Sequence, residues 1–359
     1  MAKCRDTRYT YIMNYTNRQQ QLIATILLGK NTLTQIMERG EFKDVTERTL
    51  QRDLSKLVDY GVVARKGEAR ATVYQTTPLG MTGVTLSEEV LSKLFSEENR
   101  PPIRYDFTRL DTLRSLPLFT QDDVKQLERF NGIFKQKLLN APTDLIRRER
   151  ERMTIELSWK SSQFEGNTYS LLETESLIKD GVVGKGKSKE ETVMILNHKH
   201  ALDFTADQKE AFSKKLTPSL VIDLHKILAK GLFSFDIREQ AVGITGSVYQ
   251  PLDNKHQIND ELQRFCDVVN EKESIFEKTL LAFTYICYLQ PFNDGNKRTG
   301  RILANALLYA NDSFPLSLRA VNVNTYKLAI LAFYELGVLG NAKQVLIDQA
   351  KFAAEQYEI

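Results

Sequence analysis

Twelve residues, 290–301, read "QPFNDGNKRTGR" and combine side chains that can hold phosphates and a hard metal ion. Gly295 frees the backbone to approach a ligand closely, and N–H groups at the start of a following helix would face an anion. Arg298 and Arg301 are three residues apart, so on a helix both can reach a phosphate chain. Asp294 supplies the oxygen ligand that Mg²⁺ takes alongside phosphates. The stretch predicts a nucleotide site, and a capped helix start with surface arginines is the alternative.

The residues on either side of this loop predict two buried helices that hold it rigid. The run "EKTLLAFTYICYL" before it is apolar on nearly all faces, and "RILANALLYAN" after it has little polar surface. Beyond residue 110 the pattern is almost wholly helical, and only "AVGITGSVYQPL" is typical of a strand or hairpin. The candidate helices cover 121–138, 142–163, 188–206, 217–230, 257–270, 275–289, 296–311, 323–335 and 340–357.

The loop resembles the signature of the Fic (Fic/Doc) family, H-x-F-x-[DE]-G-N-[GK]-R-x-x-R, at every position except the first. The resemblance implies a mainly α fold, with an all-helical Fic core and a small β-hairpin flap. It also implies that ATP and Mg²⁺ bind here, with Phe292 packed into the core and the metal on Asp294. The implied nucleotide-binding residues are Asn293, Asp294, Gly295, Asn296, Lys297, Arg298 and Arg301.

Two further stretches are similar to motifs of the same family. The segment "GITGSVYQPL" (243–252) resembles its flap, which clamps the target protein; its candidate residues are Gly246, Ser247, Val248 and Tyr249. The segment "SSQFEGN" (161–167) resembles its inhibitory motif, with Ser161, Glu165 and Gly166 at the matching places. The resemblance implies that Glu165 pairs with Arg301 and forces ATP into a pose unsuited to in-line attack. A helix-ending turn with an exposed glutamate is the alternative.

Two residues depart from the commonest family pattern. Gln290 stands where the family has the histidine that takes a proton from the target hydroxyl. An amide cannot be a general base, although it can accept a hydrogen bond and orient that hydroxyl, so slow transfer is expected with Gln290, Arg298 and Arg301 as the candidate catalytic residues. Lys297 resembles the Doc branch, in which the γ-phosphate is transferred, and leaves a kinase as a minor alternative.

The first 80 residues predict a second functional part, because they carry 13 Lys and Arg against 8 Asp and Glu. Three helices and a basic hairpin in this segment resemble a winged helix-turn-helix domain. In that resemblance one helix enters the DNA major groove and the hairpin meets phosphates. The candidate DNA-binding residues are Arg48, Gln51 and Arg52 on the helix and Arg65, Lys66 and Arg70 on the hairpin. A winged helix used for protein contacts is the alternative.

Composition and spacing exclude several other classes of protein. The chain has 359 residues, no signal-peptide pattern and no long uncharged apolar run, so a cytoplasmic protein without a membrane segment is expected. Its three cysteines are far apart and predict free thiols. Residues 181–188, "GVVGKGKS", fit the phosphate-binding pattern GxxxxGK[ST], but the charged, helix-like run before them lacks the strand that such a loop requires. A flexible basic loop is expected there.

These observations predict three segments: a winged helix at 1–80, a linker at 81–110 and a Fic domain at 111–359. Within the last, the inhibitory helix is expected at about 150–165 and the core at about 190–320. The leading hypothesis is an autoinhibited adenylyltransferase that moves AMP from ATP to a Ser, Thr or Tyr hydroxyl of a protein, itself included. The competing hypothesis is a DNA-binding regulator whose Fic part senses nucleotide without transferring it. A homodimer would suit DNA with two half-sites.

Overall fold

A computed structural model describes residues 15–68, 71–97 and 100–357 of the chain. Helices dominate, and the sheets in this part are small, which confirms the predicted mainly α class. The amino-terminal elements are α1 (Asn17–Leu27), α2 (Leu33–Met37), a short 3₁₀ turn (Gly40–Phe42), α3 (Glu47–Asp59), β1 (Val63–Lys66), β2 (Val73–Thr76), α4 (Pro78–Gly83) and α5 (Glu88–Phe95). They are followed by β3 (Ile103–Arg104), α6 (Arg109–Ser115), α7 (Gln121–Asn140), α8 (Thr143–Gln163), α9 (Leu171–Asp180), α10 (Lys189–Asp207), α11 (Lys209–Lys214) and α12 (Pro218–Ala229). The remaining elements are β4 (Tyr249–Gln250), α13 (Lys255–Glu271), α14 (Ile275–Leu289), α15 (Asn296–Ala310), α16 (Val323–Leu336) and α17 (Gly340–Gln356).

The amino-terminal segment contains the predicted order of three helices and a hairpin. Strands β1 and β2 pair antiparallel, with Val63 opposite Thr76. On α3, the predicted apolar face is buried at Leu50, Leu54 and Leu57. Asp53 on the same helix is also buried, and its carboxylate accepts a 2.5 Å bond from Arg18 on α1. The order of the elements agrees with the prediction, and both the winged-helix fold and its DNA-binding role stay predictions.

The predicted linker at 81–110 contains a helix and a short strand. It includes α5, which Ser87 caps by accepting a bond from the Val90 N–H, and the short strand β3. Val90, Leu91 and Leu94 of α5 are buried in the amino-terminal hydrophobic core. The prolines and charges at residues 97–102 suggested a linker, but the apolar stripe of α5 has a core to pack against.

The centre of the larger core is the pair α14 and α15, which flank the predicted nucleotide loop. Every residue of α14 from Thr279 to Leu289 is buried, as the apolar composition of that run predicted. Gly300 on α15 lies against Ala282 and Cys287 of α14, where an added Cβ would come within 3.1 to 3.2 Å of their atoms. The close fit of the two helices fixes both ends of the loop between them.

Helix α16 belongs to both hydrophobic cores. Leu328, Ala332 and Leu336 pack with α1, α3 and α5 in the amino-terminal core. Tyr326 and Tyr334 face the other way and are buried in the larger core beside α14. The amino-terminal segment is therefore packed against the domain that carries the nucleotide loop.

The loop at 181–188 has the structure of a helix connection and lacks a preceding strand. Gly181 ends α9 in the left-handed conformation (φ 70°), and Ser188 caps α10 by accepting a bond from the Glu191 N–H. Lys187 donates to the Thr168 carbonyl oxygen at 2.7 Å and lies 3.3 Å from a Glu173 carboxylate oxygen. The helix-like run predicted before Gly181 is confirmed as α9, and the absence of phosphate binding stays a prediction. In the part of the chain that the structure describes, no helix is long and apolar enough to cross a membrane.

Candidate nucleotide-binding site

Gln290 begins the loop in a conformation unusual for a residue with a side chain. It ends α14 in the left-handed region, with φ 51° and ψ 56°. Its backbone carbonyl oxygen accepts a 2.6 Å bond from the buried guanidinium of Arg238, and the Arg238 N–H in turn donates to the Pro291 carbonyl oxygen. Ile237 pairs with Phe292 in an isolated bridge. Residues 237–238 therefore hold the turn from outside, independently of the side chain at 290.

The orientation of the Gln290 amide is fixed by one backbone carbonyl, which can only accept a hydrogen bond, and one backbone N–H, which can only donate. Its Nε2 donates to the Cys287 carbonyl oxygen at 2.6 Å, and the Tyr334 hydroxyl lies at 3.4 Å. Asn296 accepts from the Phe292 N–H with Oδ1, so its Nδ2 is free to donate to Gln290 Oε1 at 2.9 Å. A carbonyl can only accept and an N–H can only donate, so neither amide can flip. Gln290 therefore offers an oxygen, with one further acceptor position, to any incoming hydroxyl.

Arg298 has the free donors expected of an anion site. It is 3% exposed, its Nη2 donates to Asp294 Oδ2 at 2.9 Å, and its guanidinium lies 4.7 Å from the centre of the Phe233 ring. Its Nε and Nη1 have no hydrogen-bond partner among the described residues. Unpaired buried donors are costly, and a phosphate oxygen would satisfy them. The same helix start has no side-chain cap, so its backbone N–H groups also face outward.

Asp294 and Asn293 are exposed at the mouth of the loop. The Asp294 side chain is 63% exposed, and its Oδ1 also accepts from the Gly295 N–H at 2.5 Å. Its carboxylate keeps oxygen lone pairs for a metal, which fits an ion held by one side chain and by substrate phosphates. No group of three or more His, Cys, Asp or Glu that could hold a metal occurs within residues 15–68, 71–97 and 100–357, so an all-protein metal cage is not formed there.

Gly295 has side-chain neighbours that leave no room for a Cβ. Its φ is 77°, and an added Cβ would lie 2.8 Å from the Phe233 ring and 3.2 Å from the His225 ring. His225 in turn stacks on Phe292, with ring centres 3.5 Å apart. Phe233 and His225 were not identified from the loop sequence, and the predicted approach of a ligand to Gly295 stays a prediction.

Arg301 is held by the segment predicted to be inhibitory. Its Nη2 donates to Glu165 Oε1 at 2.7 Å, and Lys297 lies 3.2 Å from Glu165 Oε2. Burial alone would raise the pKa of Glu165, but Arg301, Lys297 and Arg298 lower that pKa to about 2. The predicted ion pair is present, and both cations on Glu165 belong to the nucleotide loop.

Further contacts place Ser161 and Tyr326 around the same guanidinium. Arg301 Nε donates to Ser161 Oγ at 2.8 Å, and its Nη1 donates to the Tyr326 hydroxyl at 2.8 Å. Burial lowers the pKa of His198 to about 3, and its Nδ1 lies 2.8 Å from the Met194 carbonyl oxygen, so Nε2 is the acceptor for the Ser161 hydroxyl at 2.7 Å. Every nitrogen of Arg301 is therefore occupied, in contrast to Arg298.

Phe164 and Gly166 lie in the segment predicted to be inhibitory, just after the end of α8. The Phe164 ring stacks on Tyr326, with centres 4.3 Å apart and planes 10° apart. Gly166 is exposed and has φ 91°, a conformation that reverses the chain away from α8. Sequence reasoning identified Ser161, Glu165 and Gly166 but missed Tyr326 and His198, because neither lies near a motif along the chain.

The predicted flap is not a hairpin. Strand β4 pairs in parallel with β3, so Ile103 lies opposite Tyr249. Gly246 has φ 79°, and the Ser247 N–H donates to the Ile244 carbonyl oxygen in a tight turn. No second flap strand forms within the described residues, and β4 is bonded to residues 103–105 instead. The buried Tyr249 hydroxyl donates to the carbonyl oxygen of Tyr288, the penultimate residue of α14, at 2.8 Å.

The predicted DNA-binding residues remain on the surface, apart from the nucleotide loop. Arg48, Gln51 and Arg52 are exposed on α3, and Gln51 donates to Glu47 at 2.8 Å. Arg65 and Lys66 are exposed on β1. Arg70 lies outside the described residues.

Residues 215–308, which include the whole loop, match the Fic/DOC family. Among solved structures, Fic-1 (aa134–508) of C. elegans has a TM-score of 0.58 at 17% identity, over 96% of this chain and 92% of that chain. A Fic-domain-containing signaling protein of Bacteroides thetaiotaomicron has a TM-score of 0.51 at 17% identity, over 64% of this chain and 96% of that one. The matches support a Fic/DOC-family domain and its fold.

Two curated relatives to which the chain is similar are protein adenylyltransferases. Protein adenylyltransferase fic-1 of Caenorhabditis elegans is 25% identical over 253 residues, 68% of this chain and 49% of that protein. Protein adenylyltransferase Fic of Nematostella vectensis is 26% identical over 223 residues, 59% of this chain and 51% of that protein. The chain thus spans about half the length of the curated relatives that it matches.

Proposed function

We propose that this chain is an autoinhibited protein adenylyltransferase of the Fic type, with a low rate of transfer. The observation that carries the proposal is the state of Arg298, a buried guanidinium with two unpartnered nitrogens at the uncapped start of α15. Such a site suits a phosphate chain. The likeness to curated protein adenylyltransferases supports ATP as the substrate and a protein as its target.

ATP would bind with its phosphates against the start of α15. Asn293, Gly295, Asn296 and Lys297 surround that end of the loop, and Arg298 donates to the phosphate oxygens. Mg²⁺, when bound by Asp294 and the phosphates, neutralises charge that develops as the phosphate bond breaks. Arg301 would hold the far end of the phosphate chain once it is released from Glu165.

The inhibition follows from the contacts of Arg301. While Glu165, Ser161 and Tyr326 accept four hydrogen bonds from Arg301, its guanidinium is held away from the geometry that a terminal phosphate would need. The phosphate chain would then lie in a pose that is not aligned for attack. Withdrawal of Glu165 frees both Arg301 and Lys297, so one movement restores two cations to the nucleotide.

In the transfer step, a Ser, Thr or Tyr hydroxyl oxygen of the target attacks the α-phosphorus of ATP. The bond from that phosphorus to the oxygen that bridges it to the β-phosphorus breaks, and pyrophosphate leaves. Gln290 accepts a hydrogen bond from the hydroxyl and orients it, but the proton leaves to water because an amide does not take it. Positioning and charge stabilisation therefore remain while base catalysis is lost, which gives slow transfer.

The test is labelled transfer from α-³²P-ATP and γ-³²P-ATP in parallel. Wild type, Glu165→Gly and Glu165→Gly/Gln290→His are compared for labelling of the chain itself and of added proteins, with Asp294→Asn in the double variant as the inactive control. We expect α-label to increase from wild type to single to double variant. Incorporation of γ-label alone would instead identify a Doc-like kinase, and no label in a folded double variant would reject transfer altogether.

A second candidate function is a DNA-binding regulator whose Fic part senses nucleotide. It is favoured by Arg48 and Arg52, which are exposed on one face of α3 and have no ion pair within the described residues. Duplex DNA selected from a random pool would be titrated with the full chain, with and without Mg-ATP. A change in affinity with ATP, without labelling, supports the sensor, whereas equal affinity under both conditions removes it. Sedimentation of the complex would report whether a homodimer binds.

A further inference from the structure

Glu335 lies at a junction between α16, the flap and the amino-terminal segment. We call the group Arg100, Gly246, Ser247, Val248 and Glu335 the Glu335 junction. Glu335 Oε1 accepts from the Ser247 hydroxyl at 2.7 Å and from the Val248 N–H at 3.2 Å. Its Oε2 pairs with the guanidinium of Arg100, and the Glu335 side chain is wholly buried. One carboxylate therefore holds both the tight turn of the flap and Arg100, which lies five residues after the end of α5.

Arg100 extends the junction in two directions. Its Nη2 donates to the carbonyl oxygen of Phe95, the last residue of α5, at 3.2 Å, and to that of Gly246 at 3.4 Å. The Arg100 side chain is 6% exposed, so its charge is shielded from water. A buried charge that loses its partner is strongly disfavoured, which makes Arg100 and Glu335 dependent on each other's position.

The residues just after Arg100 hold the flap from its other side. The Ile103 N–H donates to the Val248 carbonyl oxygen and the Tyr105 N–H to the Gln250 carbonyl oxygen, both at 3.1 Å. The Val248 N–H thus donates to Glu335, and the Val248 carbonyl oxygen accepts from β3. The flap residues that face a target are consequently fixed by two elements, and one of them is continuous with the amino-terminal segment.

Helix α16 links the junction to the nucleotide loop as well. Tyr334, the residue before Glu335, lies against the Gln290 amide near the end of α16. Tyr326, near the start of the same helix, accepts a hydrogen bond from Arg301. The opposite side of the helix, at Leu328, Ala332 and Leu336, is part of the amino-terminal core. A displacement of the amino-terminal core would therefore move a helix that contacts the loop and the flap together.

We propose that Glu335 is a positioning residue for the flap and that Arg100 makes the position of the flap depend on the amino-terminal segment. The proposal rests on the proposed function in one respect, namely that the flap holds the target protein near the α-phosphate. The partner that would act through the junction is a molecule that binds α3 and the β1–β2 hairpin. The exposed cations of these elements favour DNA.

The first experiment measures hydrogen exchange of the flap amides in the full chain. Glu335→Gln keeps the size of the side chain, but its single oxygen cannot serve both Arg100 and the flap. We expect the Ser247 and Val248 amides to exchange at least about tenfold faster, with the affinity for a fluorescent ATP analogue unchanged. Glu271→Gln, which removes an exposed ion pair with Arg114, is the matched control and should leave the flap unchanged. Unaltered flap exchange in Glu335→Gln would overturn the positioning role.

Transfer kinetics distinguish positioning from mere stability. In the Glu165→Gly/Gln290→His background, Glu335→Gln should lower the rate of labelling by about tenfold or more while the Kd for ATP stays the same. A general loss of fold would lower both, and equal loss of both would count against the proposal. If the background variant transfers nothing at all, the proposed function fails, but the exchange result still decides the role of Glu335.

The coupling is tested with a double-mutant cycle between the two parts. Leu54→Ala loosens the amino-terminal core, and Ile23→Val does so more mildly should the first variant fail to fold. Arg100→Lys keeps a cation for Glu335 but cannot reach both Phe95 and Gly246. We expect the core variants to accelerate flap exchange several-fold with Arg100 present and much less with Lys at that position. Equal acceleration in both backgrounds would disprove transmission through Arg100.

Discussion

The nucleotide loop and the exposed face of α3 are both proposed to bind phosphates, yet their cations are in opposite states. Arg298 and Arg301 in the loop are 3% and 0% exposed, and their positions are fixed by named partners. Arg48 and Arg52 on α3 are exposed and have no ion pair within the described residues. The loop is organised before its ligand arrives, whereas the helix face would be ordered by the ligand itself.

This difference determines what substitution should do in each region. A preorganised buried donor loses little entropy on binding, so each contact contributes strongly and specifically. An exposed cation near a polyanion contributes mainly through counterion release, which is weaker per residue and depends on salt. Effects in the loop should therefore be large and insensitive to salt, and effects on α3 should be smaller and sensitive to it.

The largest expected effect is the addition of a base to the loop. Gln290→His in the Glu165→Gly background should raise the rate of AMP transfer by about 10²–10⁴ because a positioned imidazole can take the hydroxyl proton. The rate should also acquire a pH dependence near neutrality that the glutamine form lacks. Initial rates of α-³²P labelling between pH 5.5 and 8.5 measure both. A flat profile with histidine at 290 would contradict the predicted role of this position.

The next effect concerns the ion pair that Glu165 forms with Arg301 and not with Arg298. The pKa of Glu165 is about 2 in the folded chain and 4.5 for an ordinary glutamate, a difference that corresponds to about 3 kcal/mol of unfolding free energy. Because the folded pKa is depressed, this stabilisation is complete above pH 4.5 and is lost as the pH falls through 2. Glu165→Gln should therefore destabilise the chain at pH 7, and the difference should shrink by more than half at pH 3.

Urea unfolding followed by the fluorescence of Trp159 measures this difference. The chain has one tryptophan, on α8 two turns before Glu165, and its indole N–H donates to the Tyr169 carbonyl oxygen. Glu271→Gln, whose carboxylate is half exposed, serves as the control and should show little change at either pH. A constant difference for Glu165→Gln across the pH range would mean that its charge does not stabilise the fold.

Removal of the free buried donors in the loop should weaken nucleotide binding. Arg298→Ala should lower the affinity for Mg-ATP by about ten- to a hundredfold, since hydrogen bonds to charged groups contribute about 1.5–3 kcal/mol. Titration with a fluorescent ATP analogue in the Glu165→Gly background measures it, at low and high salt. Arg264→Ala, which removes an arginine on α13 paired with Asp111, should leave affinity unchanged. A loss that disappears at high salt would place Arg298 with the exposed cations.

The smallest expected effects belong to α3. Arg48→Ala and Arg52→Ala should each weaken binding to a selected duplex by roughly tenfold, and a residue that meets a phosphate should also lower the salt slope by about one. Fluorescence anisotropy at several salt concentrations separates the two kinds of contact. Lys125→Ala, an exposed cation on α7, is the control. Unchanged affinity in both arginine variants would remove α3 as the reading helix.

Local patterns were sufficient to predict most of the helices and the position of the loop between α14 and α15. The apolar run of α14 and the turn residues after it are adjacent in the sequence. The loop between α14 and α15 could therefore be predicted from that stretch alone. The family resemblance then connected Glu165, in the turn after α8, with Arg301 on α15.

The remaining features depend on residues that are far apart along the chain. Nothing near Tyr326 or Tyr334 indicates that their hydroxyls meet Arg301 and Gln290, because both read as ordinary apolar positions of α16. The flap was expected to form a hairpin with itself, since a strand's partner is usually close in sequence. Its actual partner is Ile103, in a segment whose prolines and charges suggested a linker. Long-range pairing of this kind leaves no periodic signal.

The left-handed backbone at Gln290 affects which substitutions evolution could make at this position. The conformation costs about 1–2 kcal/mol whichever residue other than glycine or asparagine stands there, and Arg238 holds it from outside. Histidine and glutamine therefore bear the same strain and fit the same turn. Their codons differ only in the third base, so a single nucleotide change would convert one into the other without disturbing the fold. A lineage could pass between transfer and sensing by that route, and return.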